Sequence, residues 1–228
     1  MGYKVKDKMF NSQKNVFWQA FILAAFVFAA GILLGFVLEN WRSGEIESLY
    51  FQSELDLLDI RIQNDIYSLA KIECEKAIGE NINFANKIYD EANLLQRYED
   101  ANKITENIIL QHRKYDLLRT LFWINAIKIK SRCNATYHNL VYLYKYNNPS
   151  LEIKAKQLVF SRILSELKEA RGDEIMLIPI AGDNNLASVG LLMGLYNITE
   201  AELPVILIDE KIKINDIEKK SDIDKLIG

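Results

Sequence analysis

The chain is short of the residues on which most catalytic and metal chemistry depends. Among its 228 residues there are two histidines, two cysteines and three prolines. The histidines, His112 and His138, have no cysteine or carboxylate cluster at metal-ligand spacing around them, so neither a metal site nor a catalytic triad is read. Cys74 and Cys133 do not form a Cys-x-x-Cys, which excludes the usual redox motif. Three prolines and ten glycines leave little for irregular loops and point to helix-rich structure. A net charge of −3, with no basic stripe interleaved with aromatics, argues against a nucleic-acid partner. No cofactor is expected. Disorder is expected only at the polar, lysine-rich Met1–Ser12.

One long apolar run stands against these shortages. From Val16 to Leu38 the only strongly polar side chain is Gln19, and the run suffices to cross a hydrocarbon core of about 30 Å as a helix. A cleaved signal peptide is the competing reading; the length of the run and its exit into Leu38-Glu39-Asn40-Trp41, which offers no small-residue cleavage site, favour a retained anchor. Trp18 and Trp41 sit near its two ends, where indoles favour the headgroup layer. Lys4, Lys6, Lys8 and Lys14 precede it, whereas only Arg42 follows, amid Glu39, Glu45 and Glu47. The positive-inside rule then keeps the N-terminus in the cytoplasm and sends the rest outside a cell membrane crossed once. Gly31 and Gly35 form a GxxxG, a spacing that lets two membrane helices pack closely and gives homodimerisation a route; common glycine usage in such helices is the plain alternative.

The order of segments is read as a cytoplasmic tail (1–15), a transmembrane helix (16–38), a helical hairpin or coiled-coil segment (39–134) and an α/β domain (135–228), a mixed α+β chain overall. In the helical segment Phe51, Leu55, Leu58, Ile62, Ile66, Leu69 and Ile72 recur at steps of three and four. Ile78, Ile82, Ala85, Ile88, Ala92 and Leu95 continue the stripe, with room for a break at Gly79. A second stripe runs Ile104, Ile108, Tyr115, Leu118, Phe122, Ala126, Ile129 and Cys133. Such amphipathic helices must pack on each other or on a partner. His112, beside that stripe, reads as a structural or solvent-facing histidine. A disulfide between Cys74 and Cys133 would close a loop worth roughly 4 kcal/mol, and two buried free thiols fit the stripes equally well.

After Asn134 the period changes. Leu140–Tyr144 reads as a buried strand closed by Asn147-Asn148-Pro149-Ser150, and Ile153–Ala170 as a helix ending at Gly172. Glu174–Ile180 is a second strand, Leu186–Tyr196 a second helix, Val205–Ile208 a third strand and Lys211–Ile214 a short fourth. Ser221 caps a last helix. Asp183-Asn184-Asn185 and Asp209-Glu210 read as turns rather than cation sites. Asn134-Ala135-Thr136 and Asn197-Ile198-Thr199 match the glycosylation acceptor pattern, a triplet frequent by chance.

This β-α-β-α-β-β-α order resembles the thioredoxin-like family over about Asn139–Ile227. The most specific piece is Tyr196-Asn197-Ile198 followed by Leu203-Pro204-Val205-Ile206-Leu207-Ile208. The resemblance implies that Pro204 is a cis proline opening the third strand, though Thr199–Leu203 is about two residues longer than expected. It also places the family's Cys-x-x-Cys at Pro149, Ser150, Leu151 and Lys154, where this chain has no cysteine. Thiol–disulfide exchange needs a thiolate, and Ser150 has no base beside it, so Ser150 reads as a helix cap. The implied function is a membrane-anchored, non-catalytic, extracytoplasmic interaction or assembly module, binding lipid through its anchor and a protein partner or a second copy of itself. Two alternatives stay open: a redox protein cycling Cys74 and Cys133, and a purely structural oligomeric spacer.

Overall fold

A computed structural model describes residues 5–69, 73–101, 106–217 and 221–227. The chain divides into two compact units, Met1–Gln52 and Ser53–Gly228. Ile72 and Ile104 lie outside the described residues, as do the side chains of Trp41, Phe51, Leu69, Leu95 and Ile108.

In the first unit the chain is helical from Val5, the start of α1 (Val5–Leu69), so helix already occupies most of the stretch expected to be disordered. The apolar run Val16–Leu38 carries no buried residue, and its large side chains are 57–73% exposed. A helix of this length with hydrocarbon uncovered all round is suited to cross a membrane. Trp18 packs edge-on against Phe21 at 6.0 Å between ring centroids. A side chain added at Gly31 or Gly35 would meet nothing within 4 Å.

The second unit holds the end of α1, then α2 (Cys74–Ala101) and α3 (Glu106–Cys133). Helix α2 runs through Gly79 without interruption. The α1 stripe is not turned inward as its spacing suggests. Leu55, Leu58, Ile62 and Ile66 are 46–57% exposed, while Asp56 and Ile60 are buried. Asp56 pairs with Lys87 of α2, whose Nζ lies 2.6 and 2.8 Å from the two carboxylate oxygens, and Ile60 is buried on the same side of the helix. Helices α2 and α3 meet through Phe84 and Phe122, 5.4 Å between ring centroids, and the Tyr115 hydroxyl donates to the Ile88 carbonyl at 2.9 Å. A disulfide joins Cys74, the first residue of α2, to Cys133, the last of α3.

After α3 come β1 (His138–Tyr144), α4 (Leu151–Arg171), β2 (Ile175–Ala181), α5 (Ala187–Leu195), β3 (Val205–Ile208), β4 (Ile212–Ile214) and α6 (Ser221–Ile227). The four strands form one mixed sheet in the order β2-β1-β3-β4. β1 is parallel to β2 and antiparallel to β3, and β4 is antiparallel to β3. A parallel pair needs a crossover, and α4 supplies it. It is capped by Ser150, whose Oγ accepts from the Ile153 amide at 3.3 Å, and it ends at Gly172 with φ +55°. The Lys168 ammonium, buried at that end, donates to the Gly172 and Ile175 carbonyls, both at 2.8 Å.

Side chains alternate across the strands. Leu140, Tyr142, Ile175, Leu177, Ile206 and Ile208 form one core with Phe160, Ile163, Leu164 and Leu167 of α4 and Ile223 and Ile227 of α6. Val141, Leu143, Met176, Ile178, Ile180, Val205 and Leu207 point the other way and are equally buried. The helices upstream of the sheet cover that second face. Asn81 of α2 donates to Met176 Sδ at 3.3 Å and to the Tyr137 hydroxyl at 3.2 Å. From Ser53 on, the helical segment belongs to the same compact unit as the sheet.

Candidate functional site

Three segments converge at the C-terminal ends of β1 and β2. The first is the turn from Lys145 to Ser150, with Asn148 at φ +46°. The second is the Gly182–Asn185 turn that follows β2, tied to β1 by the Gly182 amide donating to the Tyr144 carbonyl at 2.9 Å. The third is the entry to β3. The register that pairs Leu143 with Val205 sets Pro204 beside Tyr144, the last residue of β1. The peptide bond between Leu203 and Pro204 is cis.

Each segment is fixed by identifiable groups. Asp183, read as a turn residue, is buried, and its carboxylate accepts from the Tyr146 amide at 2.8 Å and the Asn147 amide at 2.9 Å. Gln157 of α4 accepts from the Lys145 amide at 2.9 Å. The longer Thr199–Leu203 connection forms a single 3-10 turn at Glu200–Glu202. Glu202 accepts from the Thr199 amide and hydroxyl and from Lys213. Lys213 foremost, with the Thr199 groups, holds the Glu202 carboxyl at about 2. This turn takes the Leu203 amide, which donates to the Glu200 carbonyl at 3.4 Å. Leu203 is buried against Gly182, where an added Cβ would stand 2.9 Å from Leu203 Cδ1.

Of the positions where a thioredoxin-like redox centre was expected, Ser150 and Lys154 are exposed and Leu151 is 86% exposed. Pro149 is half-buried. Ser150 is engaged as the α4 cap, its oxygen accepting and its carbonyl bonded to the Lys154 amide at 2.9 Å. The disulfide of Cys74 and Cys133 lies elsewhere, at the far ends of α2 and α3.

A buried polar cluster behind this site is not apparent from the motifs. His112, Asp116 and Arg119 of α3 stand together under the ends of β1 and β2. Asp116 is fully buried; it accepts from the Asn184 amide group, from Arg119 at 3.3 Å and from the Ala181 amide at 3.4 Å, and lies 3.4 Å from His112 Nε2. Burial pushes the Asp116 carboxyl up, and His112, Arg119 and the Ala181 amide oppose it. His112 Nε2 also lies 2.8 Å from the Tyr144 hydroxyl, and its ring stacks on Tyr146 at 3.9 Å. The signal in the sequence was an aspartate and an arginine set into the apolar stripe between Tyr115 and Phe122. His112 thus packs as a structural residue that supports the site from behind.

At the other end of the sheet, Asp209 and Glu210 form the β3–β4 turn with φ +48° and +58°. Asp209 accepts from Lys130 at 2.5 Å, from the Asn139 amide at 2.9 Å and pairs with His138 Nδ1 at 2.6 Å. Glu210 accepts from Trp123 Nε1 at 2.7 Å and from Asn139 Nδ2 at 3.2 Å. Burial opposes ionisation of Asp209, yet Lys130, His138 and the Asn139 amide hold its carboxyl below the ordinary range. Burial instead raises the Glu210 carboxyl. Both carboxylates are thus engaged in holding the turn. A cleft of about 370 Å³ nearby is lined by Ile78, Ile82, Ala135, Tyr137, Asp173 and Glu174, among others. Among the described residues, no three His, Cys, Asp or Glu side chains are placed to share a metal ion.

No family model, curated protein or solved structure matches the chain.

Proposed function

We propose that the chain is a single-pass membrane protein whose folded part is a non-catalytic thioredoxin-like module, held on the extracytoplasmic side and used for interaction or assembly. The reading of the fold is supported by the element order, by the strand order β2-β1-β3-β4, and by Pro204 standing beside the end of β1. The helical hairpin of this reading is α2 and α3, linked by the disulfide. The apolar run Val16–Leu38 supports the anchor, and the lysines before it support the orientation.

One observation carries the non-catalytic part. Where redox relatives keep two cysteines, residues 147–154 contain none, and both cysteines of the chain are engaged with each other elsewhere. Without a thiolate at the site there is nothing to attack a substrate disulfide. Beside Pro204, the Leu203 amide is taken by the Glu200 carbonyl and is not offered to a partner. Binding then falls to exposed side chains, of which Leu151 at the start of α4 is the most open.

The test is insulin-disulfide reduction by the full chain in detergent, with dithiothreitol as reductant. The expected rate equals that of reductant alone. A rate above it that vanishes in Cys74→Ser would establish the redox alternative in place of this reading.

A further inference from the structure

The open side of α1 follows a seven-residue pattern. Written as a heptad abcdefg with Leu55 at a, the helix turns its described b, c and f positions inward: Asp56 and Ile60 are buried, Leu57 and Gln63 half-buried. Every a, d, e and g position from Glu54 to Ile66 is exposed instead. In a coiled coil the a and d positions are covered by a second helix, e and g flank them, and b, c and f lie farthest from the partner. Here the far positions are already packed within the unit, and the whole set that a partner helix covers is left free. Leu55 at a, Leu58 at d and Ile62 at a are 46–57% exposed, and the sequence places Phe51 at d before them and Leu69 at a beyond. Asp65 takes the d position between Ile62 and Leu69, which keeps the apolar seam short. Single exposed leucines are ordinary, but a row of them at seam spacing on a folded unit marks a surface that is covered in use.

Three features select a second copy of this chain as the partner. Isoleucine at a with leucine at d favours two parallel strands, and Ile62 and Leu58 are that pair. The anchor supplies the direction: copies inserted through the same Val16–Leu38 run leave the membrane the same way, so their α1 helices run parallel. The flanks are compatible as well. In a parallel pair each g residue meets the e residue five positions on in the partner. Glu54 at g brings Lys114, its ion-pair partner from α3, to the Asp59 it would meet. Arg61 at g meets Ile66, over which its aliphatic stem can lie. Helix α2, which holds Asp56 through Lys87, is on the far side of α1 and stays outside the contact.

We propose that the α1 helices of two copies pair in parallel and in register, as a short two-stranded coiled coil over residues 54–66. Leu55, Leu58 and Ile62 of one copy then pack against the same residues of the other. The contact is self-complementary and closes about a two-fold axis, so it stops at a pair. Copies held in one membrane meet at high effective concentration, which lets so short a seam suffice. This deepens the interaction reading by naming the partner, and rests on it.

The test uses the full chain, in detergent micelles for its mass and in lipid vesicles for crosslinking. Light scattering across a dilution series is expected to find pairs in the wild type. Leu58→Glu with Ile62→Glu should raise the concentration at which the pair dissociates by about tenfold or more. Both positions are exposed, and circular dichroism checks that the variant is folded. For crosslinking, the two native cysteines are bonded to each other, so one added cysteine is the only free thiol. Under mild oxidation in vesicles Leu58→Cys should join two copies about tenfold faster than Leu158→Cys, a more exposed leucine on α4. A monomeric wild type overturns the proposal. So does pairing that the double substitution leaves unchanged, since the contact would then lie elsewhere, as at Gly31 and Gly35. Equal crosslinking at positions 58 and 158 overturns it too, because collision alone would account for both. Catalysis is read separately by the insulin assay, so a monomer without reductase activity defeats this pairing and not the reading beneath it.

Discussion

Removing the Asp183 carboxylate should loosen the turn that carries the candidate site while leaving the sheet intact. The group accepts two backbone hydrogen bonds, from Tyr146 at 2.8 Å and Asn147 at 2.9 Å. Hydrogen bonds to a charged acceptor contribute about 1.5–3 kcal/mol each, and water can replace part of this at a half-buried turn. The lower end of the range gives a loss of about 3 kcal/mol for Asp183→Ala. Asp183→Asn keeps one acceptor oxygen and should lose about half as much. The Asn147 side chain donates to the Asp183 backbone carbonyl at 2.7 Å, a bond both variants retain, so the difference between them isolates the carboxylate. Urea unfolding of the full chain in micelles reads the loss as a shift in midpoint at unchanged slope. Hydrogen exchange at the Tyr146 and Asn147 amides reads it locally, and both should exchange faster. If Asp183→Ala costs less than about 0.5 kcal/mol, or those amides keep their protection, the turn is held by other groups and the carboxylate is not its anchor.

Replacing both Cys74 and Cys133 by serine should lower stability by about 4 kcal/mol through the freed loop, read as a lower urea midpoint that a reductant reproduces in the wild type. Phe122→Ala removes a ring with no solvent exposure where α3 meets α2, and should cost about 3–5 kcal/mol in thermal or urea unfolding. The turn residues Asp209 and Glu210 should give pH dependences of opposite sign. Asp209 is held below its ordinary value, so its contribution is present above about pH 4 and is lost as pH falls through the folded value; Asp209→Asn should flatten that acid limb. Glu210 is raised, so the folded state binds its proton more tightly and stability declines as pH rises from about 4 through the folded value. Glu210→Gln keeps an acceptor for Trp123 and should remove that decline; urea midpoints at a series of pH values decide both.

Local signals in the sequence marked the strands and α4 well. Leu140–Leu143 is an unbroken apolar run because β1 is buried on both faces, and Ser150 and Gly172 bound α4 as its cap and stop. What could not be read is which face of a helix finds a partner. Leu55, Leu58, Ile62 and Ile66 have the better spacing, but the inward face carries Asp56 and Ile60, and the Lys87 that pairs with Asp56 lies 31 residues beyond it. Two of the donors that satisfy Asp116 inside its apolar stripe, the Ala181 amide and Asn184, come from 65 and 68 residues away. The Asp209-Glu210 pair was legible as a turn, whereas its grip on Lys130, His138 and Trp123 depends on left-handed backbone at two residues that are not glycine. Such conformations carry a cost that these side-chain bonds offset.

The sheet borrows one of its two walls from helices that precede it in the chain. In order of synthesis, α2 and α3 leave the ribosome with the apolar side that will meet β1 and β2 still uncovered, and they must wait for some fifty residues more, through Ala181, before both strands exist. The same dependence sets where the protein can be cut. A fragment beginning at Ala135 would retain every strand and both α4 and α6, yet leave Val141, Leu143, Ile178, Ile180 and Val205 open to water, and it should aggregate. The smallest autonomous piece therefore begins upstream of α2, even though every strand lies beyond α3.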